Sequence, residues 1–472
     1  MNREKKLIQN TVIIAIGKIS TQCVTFLLLP VYTAMLSTED YGLVDLLNVC
    51  ITLMVPFISL QLSVALFRFL LDAKNEKERS EIVSNVFTVV LINIVLFVLG
   101  FSVVTQFFTV QYEYYLALGL IANILAEITL QYARGMGNMI MYSLTSFIIA
   151  SINIGCNIVM IVVLHMGGIS ILIATIISNL IGALFVTFRL KIYRNVQFSL
   201  VNRNMVKELV QYSYPLVPNA ISWWITNTSD RLLISGIIGT GANGIYAIAN
   251  KIPNVYIVIF NIYNLAWTES LSRSIHDSDA EEYINKIYHS SFRLLSGFVV
   301  GLIVCISLCF DIIIGANFKE AYHLILILII AMFINSLCSM YGGIFTAYKK
   351  TGSIGKTTVY GAIINIIINV ALIQWIGLYA AAISTVFAYI VILYKRKKEA
   401  DQLVRITYSW RYLCSLAVML TIVSAGYLSH QTVVNLILLV VVTIWFVCIN
   451  KEILQNGFTM VKKKLGQRSE IV

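Results

Sequence analysis

The sequence predicts an all-α polytopic membrane protein of about 14 transmembrane helices. Three observations carry this expectation. The 472 residues are 58% hydrophobic and 12% charged, whereas soluble domains carry roughly 25% charged residues. So apolar a chain cannot cover a water-facing surface. Next, 14 segments hold the ~20 mostly apolar residues that a helix needs to cross a bilayer. Finally, 30 of the 34 Lys and Arg residues fall on one side of the topology those segments define, the bias that orients helical membrane proteins. The composition excludes disorder, collagen, coiled coils and disulfide-stapled secreted scaffolds.

The elements follow in order. The first apolar run, 10–36, follows Met-Asn-Arg-Glu-Lys-Lys. It is too long for a signal-peptide core and has no A-x-A site, so it reads as a first transmembrane helix with its N-terminus inside. Five more segments complete a first half at 42–67, 83–106, 114–133, 143–165 and 169–188. The next six lie at 212–237, 244–270, 292–314, 321–347, 357–375 and 378–394, and two more at 412–428 and 433–449. An even count puts both termini on the same, inner side as the basic loops. Connections on the opposite side are at most about eight residues long. The net charge of +11 is then the charge of the inner loops, and no nucleic-acid partner is implied. Between segments six and seven, Val201, Met205, Val206, Leu209 and Val210 form an apolar stripe with Arg203, Lys207 and Glu208 elsewhere. This stretch, 202–212, reads as an amphipathic helix on the inner membrane surface. The eight cysteines all lie in apolar stretches and read as small core hydrophobes, with no metal site.

The chain repeats itself. Glu39-Asp40-Tyr41-Gly42-Leu43 joins segments one and two, and Ala242-Asn243-Gly244-Ile245-Tyr246 joins segments seven and eight. Asn153 and Asn157 in segment five correspond to Asn365 and Asn369 in segment eleven. Each pair has i,i+4 spacing and shares a helix face. Six is an even offset, so the halves run the same way. A pseudo-two-fold axis along the membrane normal relates them. All five prolines, Pro30, Pro56, Pro215, Pro218 and Pro253, fall in the first two helices of each half, where they bend helices or shape packing. The expected organisation is a six-helix lobe over 1–200, a second six-helix lobe over 201–397 opening with the amphipathic helix, and two extra helices with a basic tail over 398–472.

Specific motifs carry a family resemblance: Leu28-Leu29-Pro30-Val31-Tyr32 followed by Leu36-Ser37-Thr38-Glu39-Asp40-Tyr41-Gly42; Ser229-Asp230-Arg231-Leu232-Leu233-Ile234 followed by Gly244-Ile245-Tyr246-Ala247-Ile248-Ala249; and Ala266-Trp267. With these the chain resembles the oligosaccharide flippases of O-antigen and capsule repeat units (Wzx-type). Their superfamily includes the multidrug and toxin extrusion (MATE) antiporters and the lipid II flippases. The resemblance runs over the whole chain. It implies two lobes facing a central cavity, alternating access, and an oligosaccharide on undecaprenyl diphosphate as cargo. It implies membrane lipids and the polysaccharide polymerase machinery as partners. It implies no cofactor beyond a coupling H+ or Na+.

Ionisable residues inside membrane helices are costly and therefore functional candidates. Lys18 lies roughly 14 Å from the inner end of segment one, and Glu127 roughly 10 Å from that of segment four, at 1.5 Å per residue. These two could pair with each other. Asp230 and Lys251 sit at similar depth on adjacent antiparallel helices, which suits a structural salt bridge. Arg231 points about 100° away from Asp230 and has no evident partner. Lys18 and Arg231 are the candidate cations for the diphosphate, Arg for its forked donor geometry. Asn153, Asn157, Asn365, Asn369, Asn219, Asn227, Trp223 and Trp224 are candidate sugar contacts, although the Asn pairs also suit helix–helix hydrogen bonds. Glu127 or Asp230 could carry a coupling proton. Asp45 and Asp311, near outer helix ends, are expected to be solvated. The run Lys395-Arg396-Lys397-Lys398 is expected to anchor the topology against lipid headgroups. An ion-coupled small-molecule antiporter is the competing function, but antiporters of this superfamily typically have fewer helices. An enzyme is not expected, because no outer loop is large enough to present a catalytic constellation.

Overall fold

The computed structural model describes residues 26–107, 111–275, 277–451 and 454–455. Among them are 17 α-helices and no strand. In chain order these are α1 (Leu29–Met35), α2 (Thr38–Ser59), α3 (Leu62–Asp72), α4 (Glu76–Phe107), α5 (Glu113–Gly135) and α6 (Met139–Ile158), which runs on into a π turn over Val159–Val163. Then come α7 (Ile169–Arg189), the one-turn α8 (Ile192–Asn195), α9 (Arg203–Ser213), α10 (Leu216–Ile237) and α11 (Thr240–Ser274). The last six are α12 (Ala280–Ile313), α13 (Ala321–Ala347), α14 (Thr351–Ile376), α15 (Leu378–Ala400), α16 (Trp410–Ser429) and α17 (Thr432–Ile449). Among the described residues, 12 helices are long and apolar enough to cross a membrane. Each coincides with one of the segments read from the sequence. Segment seven is α10, which is less apolar because it carries Asn219, Asn227, Asp230 and Arg231. Segment one is described only over its end, as α1. Outward-facing Leu91, Leu96 and Leu99 on α4, and Leu436, Val440 and Ile444 on α17, are exposed, as lipid-facing positions are.

The chain divides into two compact units, Met1–Ile248 with Ala316–Phe318, and Ala249–Gly315 with Lys319–Val472. In the first, Ile51, Leu62, Leu66, Val83, Val86, Leu120, Ile124 and Tyr132 form a continuous core among α2, α3, α4 and α5. The expected single helix over 42–67 is broken. Leu60 and Gln61 both adopt left-handed backbone with φ of 49° and 55°, separating α2 from α3. Carbonyls freed at such a break need partners within the apolar layer. Asn93 Nδ2 supplies one, donating to Ile58 O at 2.9 Å. The amphipathic helix α9 departs from expectation as well. Its stripe packs on protein rather than on lipid: Leu209 is buried in the core and Met205 and Val210 pack against it. Asn85, fully buried on α4, holds the strap leading into α9. It donates to Leu200 O at 3.2 Å and accepts from Asn202 N at 2.8 Å.

In the second unit, Tyr322 on α13 and Tyr427 on α16 stack at 4.1 Å. Each hydroxyl donates to the other residue's carbonyl, both at 2.7 Å. Trp267 is buried against α13, its indole N–H donating to Met340 O at 3.0 Å. Two sequence expectations are corrected here. Among the described cysteines only Cys338 is buried, while Cys305, Cys309, Cys414 and Cys448 face outward; apolar context alone does not distinguish a lipid-facing position from a core one. And Arg396, at 7% exposure, turns inward from the basic run instead of meeting headgroups. Its guanidinium donates to Thr357 Oγ1 at 3.0 Å, Cys338 O at 2.7 Å and Thr358 Oγ1 at 3.1 Å, fastening the C-terminal parts of α13 and α15 to the start of α14. Lys395 and Lys397 lie over the rings of Tyr360 and Tyr408.

Candidate functional site

The polar feature that stands out inside the first unit is a clasp among α2, α10 and the start of α11. Ser37 caps α2 by accepting from Asp40 N, which fixes where the helix begins. Asp45 then falls two turns in, at 8% exposure. Arg231 NH1 on α10 donates to Asp45 Oδ1 at 2.9 Å. Asn243, fully buried, donates to Gly42 O at 2.9 Å and lies 3.4 Å from Asp45 Oδ2. The two Asp45 oxygens thus answer one cation and one amide. Among the described residues the remaining guanidinium nitrogens of Arg231 make no hydrogen bond to protein, and its side chain is 19% exposed. Arg231 therefore has a partner that the sequence reading did not find, and Asp45 is not solvated as expected.

Two glycines make the clasp possible. A Cβ on Gly42 would overlap Thr240 O, and a Cβ on Gly244 would overlap Thr38 O. Each glycine faces the carbonyl four residues upstream of the other. That is a reciprocal, two-fold-like contact between the two joints read from the sequence as a repeat. Small residues allow this close backbone approach in membranes. Tyr41 seals the side, packing on Tyr32 at 5.9 Å and edge-on to Phe318 at 6.0 Å. Trp224, a candidate sugar contact, spends its indole N–H on α2, donating to Val49 O and Thr52 Oγ1, both at 3.2 Å.

The other predicted residues distribute as follows. Lys18 lies outside the described residues. Trp223 is 65% exposed, and Asn219 is exposed. Asn227 donates to Trp223 O. Asn153 donates to Thr175 and Ser178 on α7, at 3.3 and 3.4 Å, and Asn157 donates to Asn153 Oδ1 at 3.0 Å. In the second half Asn365 donates to Ser384 and Thr385 on α15, at 3.2 and 3.4 Å, with Asn369 fully buried beside it. The same amide bridge is thus built twice, between equivalent helices. Glu127 accepts from Ser63 at 2.7 Å. Asp230 is buried and accepts from Tyr246 at 3.1 Å. Lys251 is half-buried on α11. Sequence reasoning missed Asp45, Asn243 and the glycine pair. The available signal was an acid within an apolar span, one turn past a repeated glycine.

Residues 7–268, more than half of the chain, match the model of a family described as polysaccharide biosynthesis protein. No curated protein matches. Among solved structures, the lipid II flippase MurJ in an inward closed conformation overlays with a TM-score of 0.70 at 15% identity, covering 95% of this chain and 100% of MurJ. An inward-facing multidrug resistance MATE family transporter of the MOP superfamily gives 0.68 at 14% identity, covering 82% of this chain and 98% of that one. A MOP superfamily transporter from Pyrococcus furiosus gives 0.55 at 14% identity, covering 84% and 96%. At such identities the likeness is one of fold.

Proposed function

This chain belongs to the polysaccharide biosynthesis protein family, and from that premise we propose that it is a flippase. It moves an oligosaccharide repeat unit, linked to undecaprenyl diphosphate, from the inner to the outer leaflet of the plasma membrane by alternating access, for surface polysaccharide assembly. The observation that carries the reading is the extent of the fold. The MATE transporter is covered almost whole at 98% yet accounts for 82% of this chain, whereas MurJ and this chain cover each other at 100% and 95%. The likeness to a protein named as a lipid II flippase thus runs nearly the full length.

In this reading both termini are cytoplasmic and the clasp is an outer gate. Ser37–Tyr41 and Gly239–Asn243 are outer connections by the basic-residue bias, so Asp45 and Arg231 close the route to the outer leaflet. A buried ion pair nearly breaks even against the hydration of its two charges. Such a pair latches two helices without trapping them. The unfilled nitrogens of Arg231 suit a phosphate, so cargo diphosphate competes with Asp45 and loosens the latch on arrival. Lys18 is the second cation for the diphosphate. Glu127 and Asp230 are the carboxylates proposed to carry a coupling ion. The test is mass spectrometry of lipid-linked sugars in cells depleted of the protein. Accumulation of an undecaprenyl-diphosphate oligosaccharide, shielded on the inner side, is the expected result. An unchanged lipid pool with new sensitivity to cationic drugs would move the protein to the antiporters.

A further inference from the structure

A recess of about 780 Å³ lies within the second unit, between α12, the segment 405–411 and the ends of α16 and α17. Its size falls in the usual range of ligand sites, roughly 300–1,000 Å³. Lys286, Arg293 and Arg411 line it, with His289 between the first two, and among the described residues no carboxylate does. Among the described residues none of the three cations forms an ion pair; Arg293 NH1 has only a long contact to Ile449 O, at 3.4 Å. Three unneutralised cations around one hollow repel each other unless an anion joins them.

The walls are built. The segment after α15 alternates, with Val404 and Ile406 buried and Arg405 and Thr407 outward. Asn285 pins it to α12, donating to Arg405 O at 3.0 Å and accepting from Thr407 N at 3.0 Å. Tyr408 anchors it further through hydroxyl contacts with Tyr288 and Tyr341. Burial holds the Tyr408 phenol above its ordinary pKa, so this wall adds no negative charge. α16 starts at the recess. Its N-cap, Ser409, makes no capping hydrogen bond, and the first-turn N–H groups of a helix attract anions. Across the recess α17 seats Phe446 on Gly297, where a Cβ would overlap the ring. Trp410, between the lining residues Ser409 and Arg411 in the chain, is 76% exposed, as tryptophans at a membrane–water boundary are.

We infer that this recess binds a phosphoryl group, through Lys286, Arg293, Arg411 and the N-terminus of α16. A basic pocket between transmembrane helices at an interface fits the headgroup of an anionic phospholipid, and the exposed Trp410 at the start of α16 favours that source over soluble phosphate. The site is independent of the flippase reading, since it uses neither the clasp nor the cargo.

The test uses the full-length protein in detergent, titrated with phosphatidylglycerol, phosphatidylcholine or inorganic phosphate, with thermal melting and native mass spectrometry as readouts. Phosphatidylglycerol is expected to bind and raise Tm, and phosphatidylcholine is not. Lys286→Gln and Arg411→Gln change exposed side chains and should leave the lipid-free Tm unchanged. Each should weaken binding about fivefold, the ratio that ~1 kcal/mol per basic residue represents. Lys350→Gln and Lys398→Gln, made singly, each remove the same charge elsewhere on the basic side and should leave binding intact. Stabilisation by inorganic phosphate equal to that by the lipid would assign the site to a soluble phosphate. Equal losses in the control variants, or no discrimination between the two lipids, would overturn the site.

Discussion

Asp45 and Arg231 are each costly in an apolar helix, and each makes the other tolerable. Removing one partner of a buried pair costs about 3–5 kcal/mol; the partial exposure of Arg231 puts this pair toward the lower end. Asp45→Asn and Arg231→Gln should therefore each lower Tm and reduce transport at least tenfold. The exchange Asp45→Arg with Arg231→Asp should recover part of both. Melting curves together with polysaccharide export check this, and an exchange no better than either single variant would show that the residues act separately. Gly42→Ala and Gly244→Ala should each cost about 1–3 kcal/mol, because the facing atoms are backbone carbonyls that cannot turn aside. Gly241→Ala, which meets only the side chains of Glu39 and Thr38, is the control and should melt like the parent. Arg231 was visible in the sequence as an ionisable group inside an apolar span, but Asp45 read as a solvated residue near a helix end, and their pairing was not visible. The partners are 186 positions apart, and nothing local to Arg231 reveals which helix it faces.

At the scale of elements, periodicity and hydropathy were enough to place the helices. The segment expected over 321–347 is α13 to the residue, because it carries no Asp, Glu, Lys or Arg and is bounded by Lys319-Glu320 and Lys349-Lys350. Where the reading departed from the structure, a tertiary contact decided. Nothing in Ser59-Leu60-Gln61 announces a left-handed break; the partner that satisfies it, Asn93, comes from another helix. The stripe of α9 fits a membrane surface and a protein core equally well, and the choice rests on the strap that Asn85 holds. Asn85→Ala leaves a carbonyl and an N–H without their partner, a cost of about 1–3 kcal/mol each where buried. The strap should then loosen while α4 stays folded. Trypsin should cleave at Arg194 or Arg203 well before the parent is cut, with circular dichroism unchanged. Equal resistance in both proteins would mean that the α9 stripe alone secures the segment.

For the whole molecule, the bias in basic residues makes a claim about orientation. Lys319 is the one Lys or Arg assigned to an outer connection, while Lys349, Lys350 and Lys356 fall in an inner one. Lys319 and Lys350 flank the 27-residue α13. At 1.5 Å per residue that helix is about 40 Å long, more than the ~30 Å apolar thickness of a bilayer. The two positions must therefore lie on opposite faces, and both are exposed. In a background with the native cysteines changed to serine, Lys319→Cys should react with a membrane-impermeant maleimide in intact cells. Lys350→Cys should react only after permeabilisation. The reverse pattern would invert the molecule and place the Asp45–Arg231 clasp at the inner face, where it would gate cargo entry instead of release. Because the helices themselves are common to both outcomes, this measurement tests the direction of the proposed transport separately from the fold that supports it.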